Sequence, residues 1–153
     1  MMFIETAILS QGESIKLDEL IQRILNNTRK EEIGGIAVFI GIVKEIVDNT
    51  RVIELDYSMI EDMALRNMEN IAREEASKHD ILGVVIYHRV GSLKPGEIAL
   101  LVIVAGRSRK NVLPALSSIV ERIKHEIPVF KLEKRVDGEY WVMGDGERYP
   151  RKR

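Results

Sequence analysis

The stretch that decides the fold is ILGVVIYHRVGSLKPGEIALLVIVAG, which covers residues 81–106. Two apolar runs flank Lys94-Pro95-Gly96, where the fixed φ of proline and the permissive backbone of glycine favour a turn. The pattern therefore predicts two strands that pair antiparallel. Around this pair, apolar periodicity divides the rest of the chain into alternating elements.

Upstream of the pair, the periodicity predicts three strands and two helices. A strand near 3–9 leads to a helix whose apolar residues at 17–25 fall on one face. The run IAVFIGIV, residues 36–43, is almost uniformly apolar and β-branched, so it is predicted to be the central strand, covered on both faces. After a hairpin or loose loop comes a strand at 51–56, and then a second helix with an apolar stripe over 60–75.

Downstream, a third helix begins near Lys110 and is closed by Pro128. Two last strands are predicted at 129–135 and 139–143, with Asp137-Gly138 between them as a hairpin signal. The resulting order is βαββαββαββ. Helices that alternate with hairpins indicate an α+β domain with a mixed or antiparallel sheet and about three helices.

Composition limits the classes to which the chain can belong. A length of 153 residues suits one domain, taken as 1–153 with a flexible tail from about residue 144, that buries its core without metals or disulfides. The net charge of −1 gives no overall basic field, which argues against bulk nucleic-acid binding. With no cysteine, the chain has no disulfide, thiolate nucleophile or cysteine-ligated metal.

Targeting and cofactor signals are also lacking. The first residues carry no basic region before a short apolar run, and no stretch approaches the ~20 apolar residues of a membrane span. We therefore expect a cytoplasmic protein that does not enter a membrane. The histidines His79, His88 and His125 show no metal-ligand spacing, and no phosphate-binding loop or dinucleotide fingerprint is present. Neither a metal nor a cofactor is predicted.

The segment AGRSRKN, residues 105–111, is the first candidate for chemistry. It ends a strand and begins the third helix, so Arg107, Arg109 and Lys110 lie near the unpaired amides of the first helical turn. Such amides and guanidinium groups together make an anion site suited to phosphate or carboxylate. The alternative is that the three cations are surface charges.

Lys124 is the second candidate. It lies four residues after Val120 and three before Ile127, which places it on the flank of the apolar stripe of the third helix. Partial desolvation and cationic neighbours would lower the pKa of its amine and make it a nucleophile or base. The alternative is a lysine with a buried stem whose charge is favoured by the helix C-terminus. A turn at Pro128 would bring Lys131 to the same cavity, although strand lysines are commonly just solvated.

The third candidate is His88-Arg89, within YHRVG at 87–91. The pair suggests an acid–base or phosphate-binding role. Side chains alternate faces along a strand, however, so the two cannot both enter one pocket. A lone histidine without a partner favours a structural or edge position for His88.

Four stretches carry a family resemblance. They are GGIAVFIGIVK at 34–44, VVIYHRVGSLKPGE at 84–97, AGRSRKNVLPAL at 105–116 and IKHEIPVFKLEKRVDGEYWV at 123–142. Each is modest alone, but their order and spacing together are specific. From about residue 3 to residue 142, the chain resembles the large, catalytic subunit of molybdopterin synthase.

The resemblance implies an α/β-hammerhead-like fold and a sulfurtransferase that converts cyclic pyranopterin monophosphate into molybdopterin. In this family, sulfur arrives as a thiocarboxylate on the C-terminal Gly-Gly of a small ubiquitin-like partner, so the enzyme needs no cysteine. The resemblance also implies a central homodimer with one small subunit at each outer end, which makes a heterotetramer. Neither nucleic acid nor a membrane is an implied partner.

The resemblance assigns site residues as well. Lys124 matches the lysine nearest the partner's terminal glycine, where it would stabilise the acyl chemistry or accept the acyl group. Lys131 matches a second essential lysine, which would hold or protonate the pterin. The other matches are Arg109 in the anion site, Phe39 as a pocket-lining ring and Glu133 after the second lysine.

Several positions depart from the family pattern. The family usually has His-Arg at the start of the third helix, where this chain has Ser108-Arg109, so Arg107 or Ser108 would have to replace the histidine. Lys44 stands where the family has an arginine, which keeps the charge but loses the bidentate fork.

A C-terminal arginine of the family falls near Asp145, and the candidates to replace it are Arg148 and Arg151. The departures leave a second function open, that of a noncatalytic homologue that binds a ubiquitin-like tail or a phosphorylated ligand. The retention of Lys124 and Lys131 argues against it. A third interpretation, RNA binding through the basic segment before the third helix, lacks interleaved aromatics, which are only 5% of the chain.

Overall fold

The computed structural model describes residues 2–144 and 146–152. Its elements follow the predicted order, with three short strands added. The helices are α1 (Leu17–Asn26), α2 (Glu61–His79) and α3 (Arg109–Glu126), with a 3₁₀ turn at Lys30–Glu32. The strands are β1 (Phe3–Leu9), β2 (Gly35–Ile42), β3 (Ile46–Val47), β4 (Thr50–Met59), β5 (Ile81–Arg89), β6 (Gly91–Leu93), β7 (Ile98–Gly106), β8 (Val129–Arg135), β9 (Gly138–Val142) and β10 (Arg148–Pro150). The predicted α+β class with three helices is confirmed.

A four-stranded sheet, in the order β1-β5-β7-β2, forms the scaffold. β1 runs parallel to β5, whereas β5 and β7 pair antiparallel, as the pattern over 81–106 predicted. Side chains alternate across a strand, so Val84 and Val102 pack with α2 and α3, while Val85 and Leu101 pack with α1. Both faces of β5 and β7 are therefore covered, which explains their nearly uninterrupted apolar sequence.

β2 is an edge strand of this sheet, which corrects the prediction that the run at 36–43 is central. Within the described chain it pairs with β7 on one side. Its residues Ile40 and Ile42 are 38% and 56% exposed. The prediction was wrong because an apolar run reports what covers the faces of a strand, not how many strands flank it.

A six-stranded antiparallel sheet runs β10-β9-β8-β4-β3, with β6 paired to β4. β3 and β4 form a hairpin in which Asp48 and Asn49 have positive φ values of 50° and 61°. Two successive positive φ values are typical of a type I′ turn. The hairpin or loose loop predicted between the strands at 36–43 and 51–56 is a hairpin turn, but it joins β4 to the two-residue β3, because β2 lies in the other sheet. The predicted hairpin of β8 with β9 is confirmed.

The apolar stripe of α2 is shorter than predicted. Ala64, Met68 and Ile71 are buried against the sheet, but Ile60 and Met63 are 56% and 40% exposed. Ile60 precedes the first helical turn and has extended backbone geometry, so helical spacing does not apply to it. No helix in the described part of the chain combines the length and apolar character needed to cross a bilayer.

β10 was absent from the predicted order, and it pairs with β9 through Arg148–Pro150. It lies in the segment for which the sequence predicted flexibility from about residue 144. That expectation concerns motion and stays a prediction. The pairing places β10 beside β9 at one edge of the six-stranded sheet.

Candidate functional site

A cavity of ≈ 230 Å³ lies where the C-terminal end of α3 meets both sheets. Hydrophobic side chains from β2, β4 and β7 line part of it. The polar side chains around it are Lys44, Tyr57, His88, Lys124, Lys131, Glu133 and Arg148. Apolar walls with a few converging polar groups are typical of ligand sites.

Lys131 lies in the cavity, and its surroundings lower the pKa of its amine. Its Nζ lies 5.5 Å from the centre of the Tyr57 ring. Burial lowers the pKa of Lys131, and the charges of Lys124 and Arg148 lower it further. An ammonium group with a lowered pKa gives up its proton more readily, so Lys131 can donate a proton in a reaction and accept it again.

Lys124 lies in the last turn of α3, at the rim of the same cavity. Its Nζ is 6.0 Å from the centre of the Phe39 ring. We expected partial desolvation at Lys124, but this residue is exposed and the desolvation falls on Lys131 instead. The turn at Pro128 brings the two amines to one cavity, as their spacing suggested.

Glu133 supplies the negative charge of the cavity. It is 3% exposed, and its carboxylate accepts hydrogen bonds from Arg135 at 2.6 Å and from Arg148 at 3.0 and 3.1 Å. Two guanidinium groups compensate the buried charge. Arg148 comes from β10, so the last strand contributes to the wall of the cavity. Four lining cations and one compensated carboxylate make the cavity attractive to anions.

The chain after β9 also contributes to the site. Gly144 packs so closely against α3 that an added Cβ would collide with the carbonyl oxygen of Lys124. Asp145, near which the family arginine was placed, lies outside the described residues. Of the two proposed replacements, Arg148 lines the cavity, whereas Arg151 pairs with an acidic side chain of β9 at 3.0 Å.

The two predicted site residues from the β2 region line the cavity as well. Phe39 is half-buried on the strand, and Lys44 is exposed beyond its end. A register shift between Gly41 and Ile42 interrupts the regular pairing of β2 with β7 just before Lys44. Such irregularities bend a strand, and this one lies at the edge of the cavity.

The predicted anion site at the start of α3 is remote from this cavity. Arg109 begins α3, whereas Lys124 lies in its last turn. At 1.5 Å per residue the two are about 22 Å apart along the helix axis. Arg109 and Lys110 are both exposed at that far end. Within one copy of the chain, the structure does not bring this segment to the two lysines.

Two residues of the same segment already have partners. Arg107 is ion-paired with Glu32 at 3.0 Å and with Asp80 at 2.9 Å. The Ser108 hydroxyl donates a hydrogen bond to Asn111 Oδ1 at 2.9 Å. In one copy of the chain, these contacts tie the start of α3 to neighbouring segments, and neither residue lines the cavity. Their role in place of the family histidine stays a prediction.

His88 also lines the cavity, although the sequence favoured a structural or edge position for it. It is 4% exposed, and its ring meets the Tyr57 ring edge-on, with centroids 5.4 Å apart and planes at 68°. Burial lowers the pKa of His88 to about 4, and the charge of Lys131 contributes, so the imidazole is neutral. Arg89 faces away, as strand alternation predicted, and donates to three backbone carbonyl oxygens. The available signal was a polar residue on the core-facing side of an apolar strand.

The side chains that line the cavity offer three kinds of chemistry. Exposed amines can bind an anion, a partly buried amine can transfer a proton, and a neutral imidazole can form hydrogen bonds. Among the described residues, no group of three or more histidine, aspartate or glutamate side chains is placed to hold a metal ion. The arrangement suits an anionic ligand that also has a hydrogen-bonding group.

Comparison with known proteins bears directly on this site. The model of the MoaE protein family matches residues 10–126, which is more than half of the chain. The molybdopterin synthase catalytic subunit of Pyrococcus abyssi is 31% identical over 141 residues, which cover 92% of this chain and 93% of that protein. The family model covers Lys124 but ends before Lys131 and the strands β8, β9 and β10.

Solved structures share the fold. The X-ray crystal structure of molybdopterin synthase from Staphylococcus aureus superposes with a TM-score of 0.77 at 29% identity, covering 88% of this chain and 93% of that one. A protein–protein complex of subunit 1 and 2 of molybdopterin-converting factor from Helicobacter pylori gives a TM-score of 0.66 at 20% identity, covering 97% and 90%, and shows the fold alone. The resemblance seen in the sequence is confirmed, and the chain belongs to the MoaE family of molybdopterin synthase catalytic subunits.

Proposed function

We propose that this chain transfers sulfur from the thiocarboxylated C-terminus of a small ubiquitin-like subunit to cyclic pyranopterin monophosphate, forming the dithiolene of molybdopterin. The observation that carries the proposal is the cavity shared by Lys124 and Lys131. Both substrates bring anions to it, a phosphate and a thiocarboxylate. Four cations around one compensated carboxylate suit such a pair of ligands.

The cations differ in how free they are to bind a ligand. Arg148 is committed to Glu133 and to a backbone carbonyl, so it acts mainly as a fixed positive charge. Lys44 and Lys124 are exposed, and neither forms an ion pair with another described residue. Their ammonium groups are therefore available to an incoming phosphate or thiocarboxylate.

The positions of the two central lysines support separate roles. Lys124 lies at the rim, where a chain end can enter, so we assign it to the acyl group of the partner. There it stabilises the negative charge that develops on the acyl oxygen, or accepts the acyl group as an amide. Lys131 lies within the cavity, and its lowered pKa suits it to protonate the pterin as sulfur attacks.

We also propose that the catalytic chain forms a cytoplasmic homodimer that carries two small subunits. Four exposed isoleucines fall close together in the sequence, Ile40, Ile42, Ile46 and Ile53. β2 has an open edge within the described chain, and exposed apolar residues near an open edge favour association. Light scattering tests this with Ile42→Glu, which we expect to shift a dimer toward the monomer. An unchanged dimer would place the interface elsewhere.

The proposed reaction is tested with two forms of the small subunit. One form ends in a thiocarboxylate and the other in an ordinary carboxylate, and each is incubated with the chain and cyclic pyranopterin monophosphate. We expect mass spectrometry to find a product with two added sulfur atoms in the first reaction only. A chain that binds both partners tightly but forms no product would instead be the noncatalytic homologue left open by the sequence.

A further inference from the structure

The imidazole of His88 is held in one tautomer before any ligand enters. Nδ1 lies 2.9 Å from the carbonyl oxygen of Arg89. A carbonyl oxygen accepts hydrogen bonds and cannot donate, so Nδ1 carries the proton and Nε2 of the neutral ring has a free lone pair. The edge-on contact with Tyr57 fixes the orientation of the ring.

Nε2 of His88 borders open space rather than packed protein. The residue lines the cavity, and Nδ1 makes the one hydrogen bond of the ring among the described residues. Among the described residues, the fully buried side-chain atoms that lack a hydrogen-bond partner belong to Glu75 and His79. Nε2 of His88 lacks a partner in the described chain but is not among these atoms, so it is not fully buried. Nε2 is therefore an accessible acceptor without a protein donor.

The other polar groups of the cavity cannot easily take this role. In their charged forms, the lysines and Arg148 only donate hydrogen bonds. The carboxylate oxygens of Glu133 are occupied by guanidinium groups. The Tyr57 hydroxyl, whose pKa burial raises to about 12, is neutral and can donate or accept. His88 thus provides the acceptor that has neither charge nor a proton on the accepting atom.

We propose that Nε2 of His88 accepts a hydrogen bond from a ring N–H group of the substrate, and thereby selects a nitrogen heterocycle over other phosphorylated molecules of similar charge. The inference rests on the function proposed above, because it names the group that recognises the heterocycle of that substrate. Recognition is divided between the amines, which hold the phosphate, and the imidazole, which binds the ring. A site built around a buried acceptor rejects ligands that leave the acceptor unpaired.

Binding measurements with two probes test the proposal. Calorimetry compares cyclic pyranopterin monophosphate with ribose 5-phosphate, which has the phosphate but no nitrogen ring. We expect His88→Phe, which keeps a planar ring and removes the acceptor, to weaken pterin binding about 10- to 100-fold and to leave ribose 5-phosphate binding unchanged or slightly tighter. His88→Gln, which supplies an acceptor oxygen, should restore most of the loss. His125→Phe, at an exposed histidine of α3, is the matched control and should change neither.

Three results would overturn the proposal. They are unchanged pterin affinity in His88→Phe, an equal loss for both probes, and a wild-type chain with no preference for the pterin. The equal loss would show that His88 supports the shape of the cavity. Failure of the proposed reaction is separable, because a wild-type chain that binds the pterin through His88 but forms no product would refute sulfur transfer and leave the binding inference intact.

Discussion

The four-stranded and six-stranded sheets bury different kinds of side chain. In the first, β5 and β7 bury apolar residues on both faces, and Val84, Leu101 and Ile103 are fully buried. In the second, the middle strand β8 buries Glu133 at 3% exposure and also buries much of Lys131. Apolar burial stabilises a fold, whereas burial of charge costs free energy unless partners compensate it.

The four-stranded sheet thus acts as the scaffold, whereas the six-stranded sheet supplies charged residues to the candidate site. Lys131, Glu133 and Arg135 alternate along β8 and therefore share one face of the strand. Lys131 and Glu133 both line the cavity. A strand chosen for stability alone would place apolar residues there, because well-packed hydrophobic residues are often at least as stable as a buried ion pair. The charged face of β8 therefore supports the proposal that this cavity binds a ligand.

Replacement of Glu133 by alanine should cause the largest loss of stability, because it removes the buried charge that distinguishes the six-stranded sheet. It leaves the guanidinium groups of Arg135 and Arg148 close together without their shared carboxylate, and breaking a buried ion pair costs about 3–5 kcal/mol. Urea unfolding measures the loss. The matched control is Glu139→Ala, since Glu139 is partly exposed, pairs with Arg151 and should cost less than about 1 kcal/mol. Equal losses in the two variants would show that the buried charges are not coupled.

Replacement of Leu101 by alanine tests the scaffold without touching the site. Leu101 is fully buried beside α1 and does not line the cavity. The cavity left by the leucine side chain should lower the free energy of unfolding by about 2–5 kcal/mol. The same change at Leu113, which is 54% exposed on α3, should alter it by less than about 0.5 kcal/mol. KM and kcat of the folded Leu101→Ala protein should remain those of the wild type. A changed KM would show that packing in the four-stranded sheet affects the cavity.

Elements with strong local signals were predicted closely from the sequence. β1 and β8 have the predicted limits, because apolar alternation marks the first and Pro128 precedes the second. The strands β3, β6 and β10 were missed. Strands of two or three residues carry too little periodicity to be recognised, and they form through pairing with partners that lie elsewhere in the sequence.

The site was predictable where its residues are close in sequence. Lys124 and Lys131 reach one cavity because Pro128 turns the chain between them. His88 was assigned a structural position because its neighbours Tyr57 and Lys131 lie on β4 and β8, and no local pattern links them to β5. Within one copy of the chain, the length of α3 places the cations at 107–110 at the helix end opposite to Lys124, so their predicted role in the site stays a prediction.

The smallest expected effect concerns the pH dependence of stability. Because the pKa of Lys131 is lowered in the folded state from 10.5, the folded protein releases this proton first, and stability rises with pH from the folded pKa up to 10.5. In Lys131→Met this rise should disappear, with the free energy of unfolding at neutral pH unchanged or raised by about 1 kcal/mol. Urea unfolding at several pH values measures the difference from wild type. An identical pH profile would mean that Lys131 is not desolvated.

Single-turnover conversion of cyclic pyranopterin monophosphate, with the thiocarboxylated small subunit, tests most directly whether the two-lysine cavity carries out sulfur transfer. The reaction is followed for the wild type, Lys124→Ala and Lys131→Ala. The control is Lys134→Ala, since Lys134 lies on the opposite face of β8 and pairs with Glu54 at 3.2 Å. We expect dithiolene product from the wild type and the control, and a loss of roughly 10²- to 10⁴-fold in each of the other variants. Wild-type rates in Lys131→Ala would contradict the assignment of the cavity as the site of sulfur transfer.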